Sequence, residues 1–430
     1  MSECTVFRSA SLRETYTKIK HKSGLDIYVF PKKLTTTYAI FATRYGSVDT
    51  RFKLAGDADF SEVPDGVAHF LEHKMFDNED GVDSFARFSA YGADANAYTS
   101  HHRTAYLFSC TENFSESLAE LLTYVTHPYF TPESVAKEQG IIGQEIRMGD
   151  DSPAHRRYYN LLRALFHGKQ IYTNICGTVE SIAQITDQIL YDCCRVFYHP
   201  CNMALVVCGD VTVEEVLTIA DQHLPMREPV EIIREYPPEP ESVYMPKITA
   251  EMSVAQPMFS IGIKDPCANH EPADRLRREA AFSILCEMLF NKSGDLYNTL
   301  YREGLLLGGL GYGYESNPGY AYVSLNGNSH DPDAVLARIK AAIADAQQNG
   351  LSATAFARCK RVMYAEFVRD FDSTADIADM MLDFVFADVE PLSYAEVLDS
   401  ITFAEVEALL KEAFCPERFA MSVINPIKEG

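Results

Sequence analysis

The sequence predicts an α+β protein built from two tandem repeated domains, each a mostly antiparallel sheet with helices packed on it. A chain of 430 residues is too long for one ordinary hydrophobic core. Residues 228–246 are rich in proline and glutamate and separate two halves of similar length. We therefore expect a first domain over residues 1–230, a linker over 231–246 and a second domain over 247–430.

Short motifs recur in the two halves, which is the mark of an internal repeat. The first recurrence joins Pro200, Ala204 and Val207 to Pro416, Ala420 and Val423 at one constant offset. In both places the pattern predicts the end of a helix, then a proline, then an apolar strand. At nearly the same offset, the helical run 71–76 aligns with 285–290.

Composition narrows the classes of partner and the compartment. The formal net charge of −23 repels nucleic acid and anionic membranes, so we expect neither as a partner. No apolar run approaches the length that a membrane-spanning helix needs. The 11 cysteines include no Cys-x-x-Cys pair, and residues 1–15 lack the pattern of a signal peptide. Together these features predict a cytoplasmic protein.

The first half begins with a strand-rich segment. Residues 25–30 and 37–43 predict two strands, and Pro31 with two lysines between them favours an antiparallel pair. Residues 94–99 and 104–109 predict two more strands, the first of them an edge strand of small and polar residues. A free edge can pair with an extended peptide, although the pattern alone is typical of an ordinary surface strand.

The run His69-Phe70-Leu71-Glu72-His73 lies inside an apolar segment that predicts one buried helix over residues 67–76. On a helix, His69 and His73 share a face one turn apart, with Glu72 on the same side. Two imidazoles at this spacing can bind one Zn²⁺, and the carboxylate can take a proton from water on the metal. The alternative is a surface helix with two solvated histidines. The apolar neighbours argue against it, because buried His and Glu without a partner are costly.

A second helix supplies candidate carboxylates. Thr131 and Pro132 predict its start, and it runs to about Met148 with Glu138 and Glu145 two turns apart on one face. Taken alone, such a pair indicates a solvated face. One glutamate added to two histidines, however, completes a three-ligand zinc site with an open water position. Glu145 is the candidate ligand, and Glu138 a candidate to orient a histidine N–H.

The second half repeats the helix but not the motif. In the aligned copy Ser283 replaces His69, Cys286 replaces Glu72 and Glu287 replaces His73. We therefore expect one zinc ion per chain, with the chemistry carried by the first domain alone.

These motifs resemble the pitrilysin/insulinase family of zinc metallopeptidases, the inverzincins, over essentially the whole chain. Further matching runs are Asn96-Ala97-Tyr98-Thr99 and Gly177-Thr178-Val179-Glu180-Ser181-Ile182. Residues 63–68 and 143–146 are most similar to the zinc-bearing subunits of two-chain bacterial members. The resemblance implies His69, His73 and Glu145 as zinc ligands, Glu72 as general base, Glu138 as a supporting carboxylate, and Asn96 and Ala97 as substrate-binding residues.

The resemblance also bears on assembly, since a chain of this length matches half of the four-domain clamshell of single-chain relatives. Active relatives use an arginine and a tyrosine, in a stretch like Arg-Glu-x-x-Gly-Leu-x-Tyr, where this chain has Leu300 and Leu307. Arg302 and Tyr312 lie nearby at a different spacing. The expected partner is therefore a second family subunit without the zinc motif, in a heterodimer. A homodimer that uses Arg302 and Tyr312 is the alternative.

The expected function is a zinc-dependent endopeptidase that cleaves short or unfolded peptides inside a closed chamber. The first alternative is a non-catalytic assembly subunit that retains a zinc site, as in scaffold members of the family. The complete ligand set with Glu72 favours the enzyme, because structural zinc sites have four protein ligands. A processing enzyme tied to one maturation pathway is a further alternative, which the sequence does not separate from general peptide turnover.

Overall fold

The structure is a computed structural model that describes residues 2–266 and 271–427. Within these ranges the sheets are mostly antiparallel and helices pack on them, so the predicted α+β class is confirmed. The strands are β1 (Glu3–Ser9), β2 (Glu14–Lys20), β3 (Asp26–Pro31), β4 (Thr37–Thr43), β5 (Arg51–Leu54), β6 (Ser61–Glu62), β7 (Asp94–Thr99), β8 (Thr104–Cys110), β9 (Met203–Gly209), β10 (Ile232–Arg234), β11 (Lys247–Met252), β12 (Met258–Asp265), β13 (Gly311–Asn317), β14 (Tyr320–Asn328) and β15 (Phe419–Pro426).

The helices of the first half include the two that carry the predicted site residues. They are α1 (Val67–Lys74), α2 (Ser84–Tyr91), α3 (Phe114–Thr126), α4 (Pro132–Asp150), α5 (Pro153–Leu165), α6 (Lys169–Tyr172), α7 (Val179–Ile182), α8 (Asp187–Phe197) and α9 (Val213–His223). Those of the second half are α10 (Pro272–Phe290), α11 (Asp295–Arg302), α12 (Pro332–Asn349), α13 (Ala353–Arg369), α14 (Thr374–Phe386), α15 (Tyr394–Ser400) and α16 (Phe403–Ala413).

Two sheets repeat one topology. The first has the strand order β1-β2-β3-β9-β4-β8-β7, and the second has the order β11-β15-β12-β14-β13. In each sheet one parallel pair, β3 with β9 or β11 with β15, is followed by antiparallel neighbours. The last five strands of the first sheet therefore match the second sheet strand for strand, and the predicted repeat is confirmed.

The register extends this match to single residues. Across the first sheet one row runs through Leu205, Phe41, Tyr106 and Ala97, and across the second it runs through Met421, Ile261, Leu325 and Tyr312. Leu205 and Met421 are separated by the same offset that joins Pro200 to Pro416 in the sequence. Tyr312 thus takes the place in the second repeat that Ala97 has in the first.

The chain divides into two compact units that do not follow a single cut in the sequence. The first unit comprises the residues up to Ile146, Asn174–Tyr236 and Val368–Ser393, and the second comprises Arg147–Thr173, Pro237–Phe367 and the residues from Tyr394 onward. The chain passes from the first unit to the second between Tyr236 and Pro237, and this crossing point lies within the predicted linker 231–246. The sequence pattern predicts none of the other crossings.

Each unit takes one helix of 13 residues from the other half of the sequence. In the first unit α14 packs on β4 and β9, and in the second α5 packs on β12 and β15. These strands are equivalent in the repeat. Helix α5 brings an apolar face of its own to the second sheet, formed by Leu161, Leu162, Ala164 and Leu165. Each sheet is therefore covered in part by a helix that comes from the other half of the sequence.

The predicted pairing of strands 25–30 and 37–43 is wrong. Both strands form, as β3 and β4, but β9 lies between them, parallel to β3 and antiparallel to β4. Every residue of β9 is buried. A central position satisfies both edges and covers both faces of such a strand, so it displaces the simple hairpin.

Two features of the structure concern the membrane-spanning length and the cysteines that the composition analysis considers. Across residues 2–266 and 271–427, no helix is both long enough and apolar enough to cross a membrane. The cysteines in the same ranges are all free thiols, and several of them are buried in the two cores.

Candidate metal centre

Helix α1 carries the central motif and is buried along one side. It begins after Gly66, whose backbone has the left-handed φ of 96°, and it packs on β7 and β8. Its apolar anchors are Val67, Ala68, Phe70 and Leu71. Because these side chains fix the helix against the sheet, His69, Glu72 and His73 occupy defined positions in the first unit.

The two histidines converge on one carboxylate. His69 Nε2 lies 3.6 Å from Glu145 Oε1, and His73 Nε2 lies 3.6 Å from Glu145 Oε2. The imidazole centroids are 4.6 Å apart. Two ligand atoms on one tetrahedral zinc are about 3.3–3.7 Å apart, given zinc–ligand bonds of about 2.0–2.3 Å. Each histidine thus lies at zinc-ligand spacing from its own oxygen of Glu145, so the predicted ligands meet in two pairs that share this carboxylate.

The protonation of His69 suits a metal ligand. Burial and the neighbouring His73 lower the pKa of His69 to about 3, so its ring is neutral at physiological pH. Its Nδ1 is buried and has no hydrogen-bond partner among the described residues. A neutral imidazole is the form that binds a divalent cation, so His69 fits Zn²⁺ through its Nε2, which faces Glu145.

Glu138 pairs with the other face of His73. Its Oε1 lies 3.0 Å from His73 Nδ1. Burial by itself would lower the pKa of His73, but the carboxylates of Glu138, Glu72 and Glu145 together outweigh it and raise that pKa. The same contact lowers the pKa of Glu138 against the effect of its own burial. Glu138 thus fixes the His73 ring with Nε2 turned towards Glu145, as expected for a carboxylate behind a metal ligand.

Glu72 is held from the neighbouring strand. Thr99, at the end of β7, donates its hydroxyl to Glu72 Oε2 over 2.6 Å. Burial raises the pKa of Glu72, and the Thr99 hydrogen bond opposes that rise. The carboxylate is therefore oriented, and its pKa is moved in the direction that a general base needs.

The predicted substrate residues lie on the last strand of the first sheet. Asn96 and Ala97 belong to β7, which pairs with β8 on one side and with no described strand on the other. Asn96 is exposed, and its side-chain oxygen accepts the Ala97 N–H over 2.9 Å. The strand is thus an edge, as the sequence predicted.

Arg302 and Tyr312 belong to the second unit, and each has a partner there. The Arg302 guanidinium is exposed, and its Nε donates to the carbonyl of Asn298 in its own helix over 3.1 Å. Tyr312 donates its hydroxyl to Glu287 over 2.5 Å. Both predicted substitutes are therefore engaged in local contacts.

The sequence patterns do not indicate one residue that lies beside the predicted ligands, Cys176. Cys176 Sγ lies 3.9 Å from His69 Nε2 and 3.9 Å from Glu145 Oε1, and the three ligand atoms lie within 4.8 Å of one another. Burial, with the carboxylates of Glu145 and Glu72, raises the pKa of the thiol to about 12. The available signal was its position directly before the run Gly177–Ile182, which already matched a known family.

Two protein-family models match the sequence of this chain. A family model described as "Insulinase (Peptidase family M16)" matches residues 59–179, and one described as "Peptidase M16 inactive domain" matches residues 184–363. The uncharacterized zinc protease YmfH of Bacillus subtilis (strain 168) is 36% identical over 419 residues, which cover 96% of this chain and 97% of that protein.

Solved structures share the fold. An M16-like peptidase from Alicyclobacillus acidocaldarius matches with a TM-score of 0.91 and 32% identity, and the match covers 99% of both chains. Pitrilysin matches with a TM-score of 0.76 at 16% identity, and the match covers 99% of this chain but 46% of that one. This chain therefore has the fold of about half of pitrilysin.

Proposed function

Because this chain belongs to the insulinase family, peptidase family M16, we propose that it is a zinc-dependent endopeptidase acting on short or unfolded peptides. One observation carries the proposal. His69 and His73 approach the two oxygens of Glu145 at 3.6 Å each, while Glu72 of the same helix is held by Thr99. Two imidazoles, one carboxylate and a separate oriented carboxylate are the parts of a catalytic rather than a purely structural zinc site.

His69, His73 and Glu145 would hold the ion, and Glu138 would keep the His73 ring in place. A bound Zn²⁺ supplies Lewis acidity, which polarises a peptide carbonyl and makes a water molecule more acidic at neutral pH. Glu145 is half exposed, whereas His69 is buried, so the ligand set has one side towards the core and one towards solvent. That arrangement leaves access for a peptide.

Glu72 acts as the general base and then as the general acid. It accepts a proton from the attacking water and returns it to the amine that leaves. The Thr99 hydroxyl keeps one carboxylate oxygen occupied, so that the other is the one that exchanges protons. The raised pKa of Glu72 favours the first of these steps, since a more basic carboxylate takes up a proton more readily.

The peptide backbone would add to the first sheet beside β7. An edge strand has free ladder groups on its outer side, and pairing with them orients an extended chain independently of its sequence. Thr99 ends β7 and contacts Glu72 directly, so a peptide that pairs with Asn96 and Ala97 lies on the strand that leads to the base. This mode selects extended segments and excludes folded proteins.

A second subunit would complete the enzyme. This chain spans about half of pitrilysin, and Arg302 and Tyr312 are both engaged within their own unit. We expect a related chain without the His-x-x-Glu-His run to contribute the missing donors and to close a chamber around the peptide. The free thiols fit a cytoplasmic location for the complex.

The test is a peptidase assay on the purified chain, with and without the co-purified partner, alongside its metal content. Zinc in the wild-type protein, with cleavage that Glu72→Gln abolishes, supports the proposal. Zinc bound without any cleavage, even in the presence of the partner, would favour the non-catalytic assembly subunit instead.

A further inference from the structure

Cys176 is placed against the proposed zinc ligands by a close contact between two loops. A Cβ on Gly66 would lie 2.6 Å from the carbonyl oxygen of Cys176, and a Cβ on Gly177 would lie 2.5 Å from that of Asp65. Both glycines have positive φ, 96° and 76°. Only glycine fits at these two positions, and their contact brings the segment before α7 onto the start of α1.

Hydrogen bonds fix the same contact. Ser181 Oγ donates to the Asp65 carbonyl over 2.7 Å, and the Cys176 N–H donates to Asn174 Oδ1 over 3.0 Å. The thiol is half-buried, so it is not a surface group that reached the site by chance. These bonds hold the backbone at Cys176 and join the segment after it to Asp65.

The distances are close to those of a shared metal ion. Cys176 Sγ is 3.9 Å from both His69 Nε2 and Glu145 Oε1. A thiolate and a nitrogen on one tetrahedral zinc are about 3.6 Å apart, with a Zn–S bond of about 2.3 Å. Cys176 approaches Oε1 of Glu145, the same oxygen that His69 approaches, whereas His73 approaches Oε2. The ligand atoms of His69, Glu145 and Cys176 all lie within 4.8 Å of one another.

His69 gives an independent indication that an ion belongs here. Its side chain is 9% exposed, and its Nε2 is the ring nitrogen that faces Cys176 and Glu145. The polar contacts of its Nε2 are the sulfur at 3.9 Å and the carboxylate at 3.6 Å. Neither contact satisfies a buried imidazole well, whereas a cation between the three groups would.

We propose that Cys176 is a fourth ligand of the zinc ion in the substrate-free chain, in a set with His69, His73 and Glu145. The inference rests on the proposed zinc site. On binding, the thiol releases its proton to solvent and the sulfur forms a bond to the metal, with no change of oxidation state. Four protein ligands close the position that water needs. The free chain is therefore a resting form, and the incoming peptide must displace the thiolate.

Cobalt(II) binding tests this directly, because a thiolate on cobalt gives a sulfur-to-metal charge-transfer band in the near ultraviolet and an imidazole or carboxylate does not. The apo protein is titrated with Co²⁺ as wild type, Cys176→Ala and Cys176→Ser. Cys201→Ala is the matched control, because Cys201 lies 3.0 Å from His199 Nδ1 and is the other described thiol beside an imidazole at hydrogen-bond distance. Circular dichroism checks that each variant is folded.

The expected result is one Co²⁺ per chain with the band, retained in Cys201→Ala and lost in both Cys176 variants. Competition with a chelator should show Zn²⁺ bound roughly 10- to 100-fold more weakly without the thiol, at least the loss seen when groups that only orient ligands are removed. Stoichiometric Co²⁺ without the band, or a band that persists in Cys176→Ala, overturns the inference but leaves the proposed function standing. Failure of the wild type to bind Co²⁺ or Zn²⁺ overturns both.

Discussion

Tyr312 donates its hydroxyl to the carboxylate of Glu287 over 2.5 Å, inside the second unit. The repeat aligns Glu287 with His73 and Tyr312 with Ala97. In the first unit these two positions are His73, a proposed metal ligand, and Ala97, on the edge strand. In the second unit the equivalent residues, Glu287 and Tyr312, are hydrogen-bonded to each other. The repeat thus carries the candidate metal site in one copy and a hydrogen bond between the equivalent positions in the other.

The first prediction is that the purified chain binds one zinc ion. Glu287→Gln should leave the zinc content unchanged, whereas His73→Ala should remove most of it, because His73 approaches Glu145 in the first unit. Elemental analysis of the dialysed proteins measures this. Two tightly bound ions in the wild type, or loss of zinc in Glu287→Gln, would contradict the assignment of the site to one repeat.

The second prediction concerns the base. Glu72→Gln should keep the zinc content and the fold but lose peptidase activity, since an amide cannot accept the proton of water. A loss of about 10²-fold or more is the usual scale for removing a general base. Glu145→Gln is the contrasting variant and should weaken zinc binding instead. Retention of most of the wild-type turnover in Glu72→Gln would exclude the proposed mechanism.

The third prediction concerns pH. Burial raises the pKa of Glu72, and the hydroxyl of Thr99 opposes that rise. Thr99→Val removes the opposing hydrogen bond, so the pKa of Glu72 should rise further. The base acts in its ionised form, and the acidic limb of the kcat/KM profile should therefore move to higher pH. Thr99→Ser keeps the hydroxyl and should restore the wild-type profile. An unchanged acidic limb in Thr99→Val would show that this bond does not tune the base.

The fourth prediction concerns assembly. The chain alone should cleave peptides poorly, because loss of one oxyanion-stabilising donor typically costs about 10²–10³-fold in rate. A related chain without the zinc motif should restore activity on mixing. Arg302→Ala should have no effect on either rate, since its guanidinium is exposed and bonds its own helix. Full activity of the single chain, abolished by Arg302→Ala, would favour a homodimer.

The fifth prediction concerns stability of the second unit. Lys264, 2% exposed at its side chain, donates to Glu239 over 2.5 Å. Glu239 also accepts the backbone N–H groups of His167 and Gly168. Glu239→Gln leaves the buried ammonium without its counter-charge, and breaking such a pair costs about 3–5 kcal/mol.

Glu241→Gln is the matched control in the same segment, because it removes a surface ion pair instead of a buried one. The Glu241 side chain is 79% exposed, and its Oε2 lies 3.8 Å from Nη2 of Arg418. It should change the unfolding temperature little. Thermal unfolding followed by circular dichroism compares the two variants. Equal unfolding temperatures of Glu239→Gln and Glu241→Gln would show that the Lys264–Glu239 pair does not stabilise the second unit.

The sequence determined the local features of this protein. Helical spacing of His69, Glu72 and His73, and of Glu138 and Glu145, depends only on residues a few positions apart, so it follows from the order of the amino acids alone. The family inferred from these motifs is confirmed by the family models and by the similarity to YmfH. The repeat was also visible, because apolar strand patterns survive when the ligands are replaced.

Only the tertiary structure decided which distant segments meet. β9 separates β3 from β4, and α5 and α14 each cover the sheet of the other half. Glu239 lies in the predicted linker, yet it forms an ion pair with the buried Lys264. Cys176 reaches His69 across 107 positions of sequence because two glycines let two loops touch. No periodicity encodes such contacts, since they arise from burying whole elements against each other, and the chemistry of a residue then depends on neighbours that its own segment does not specify.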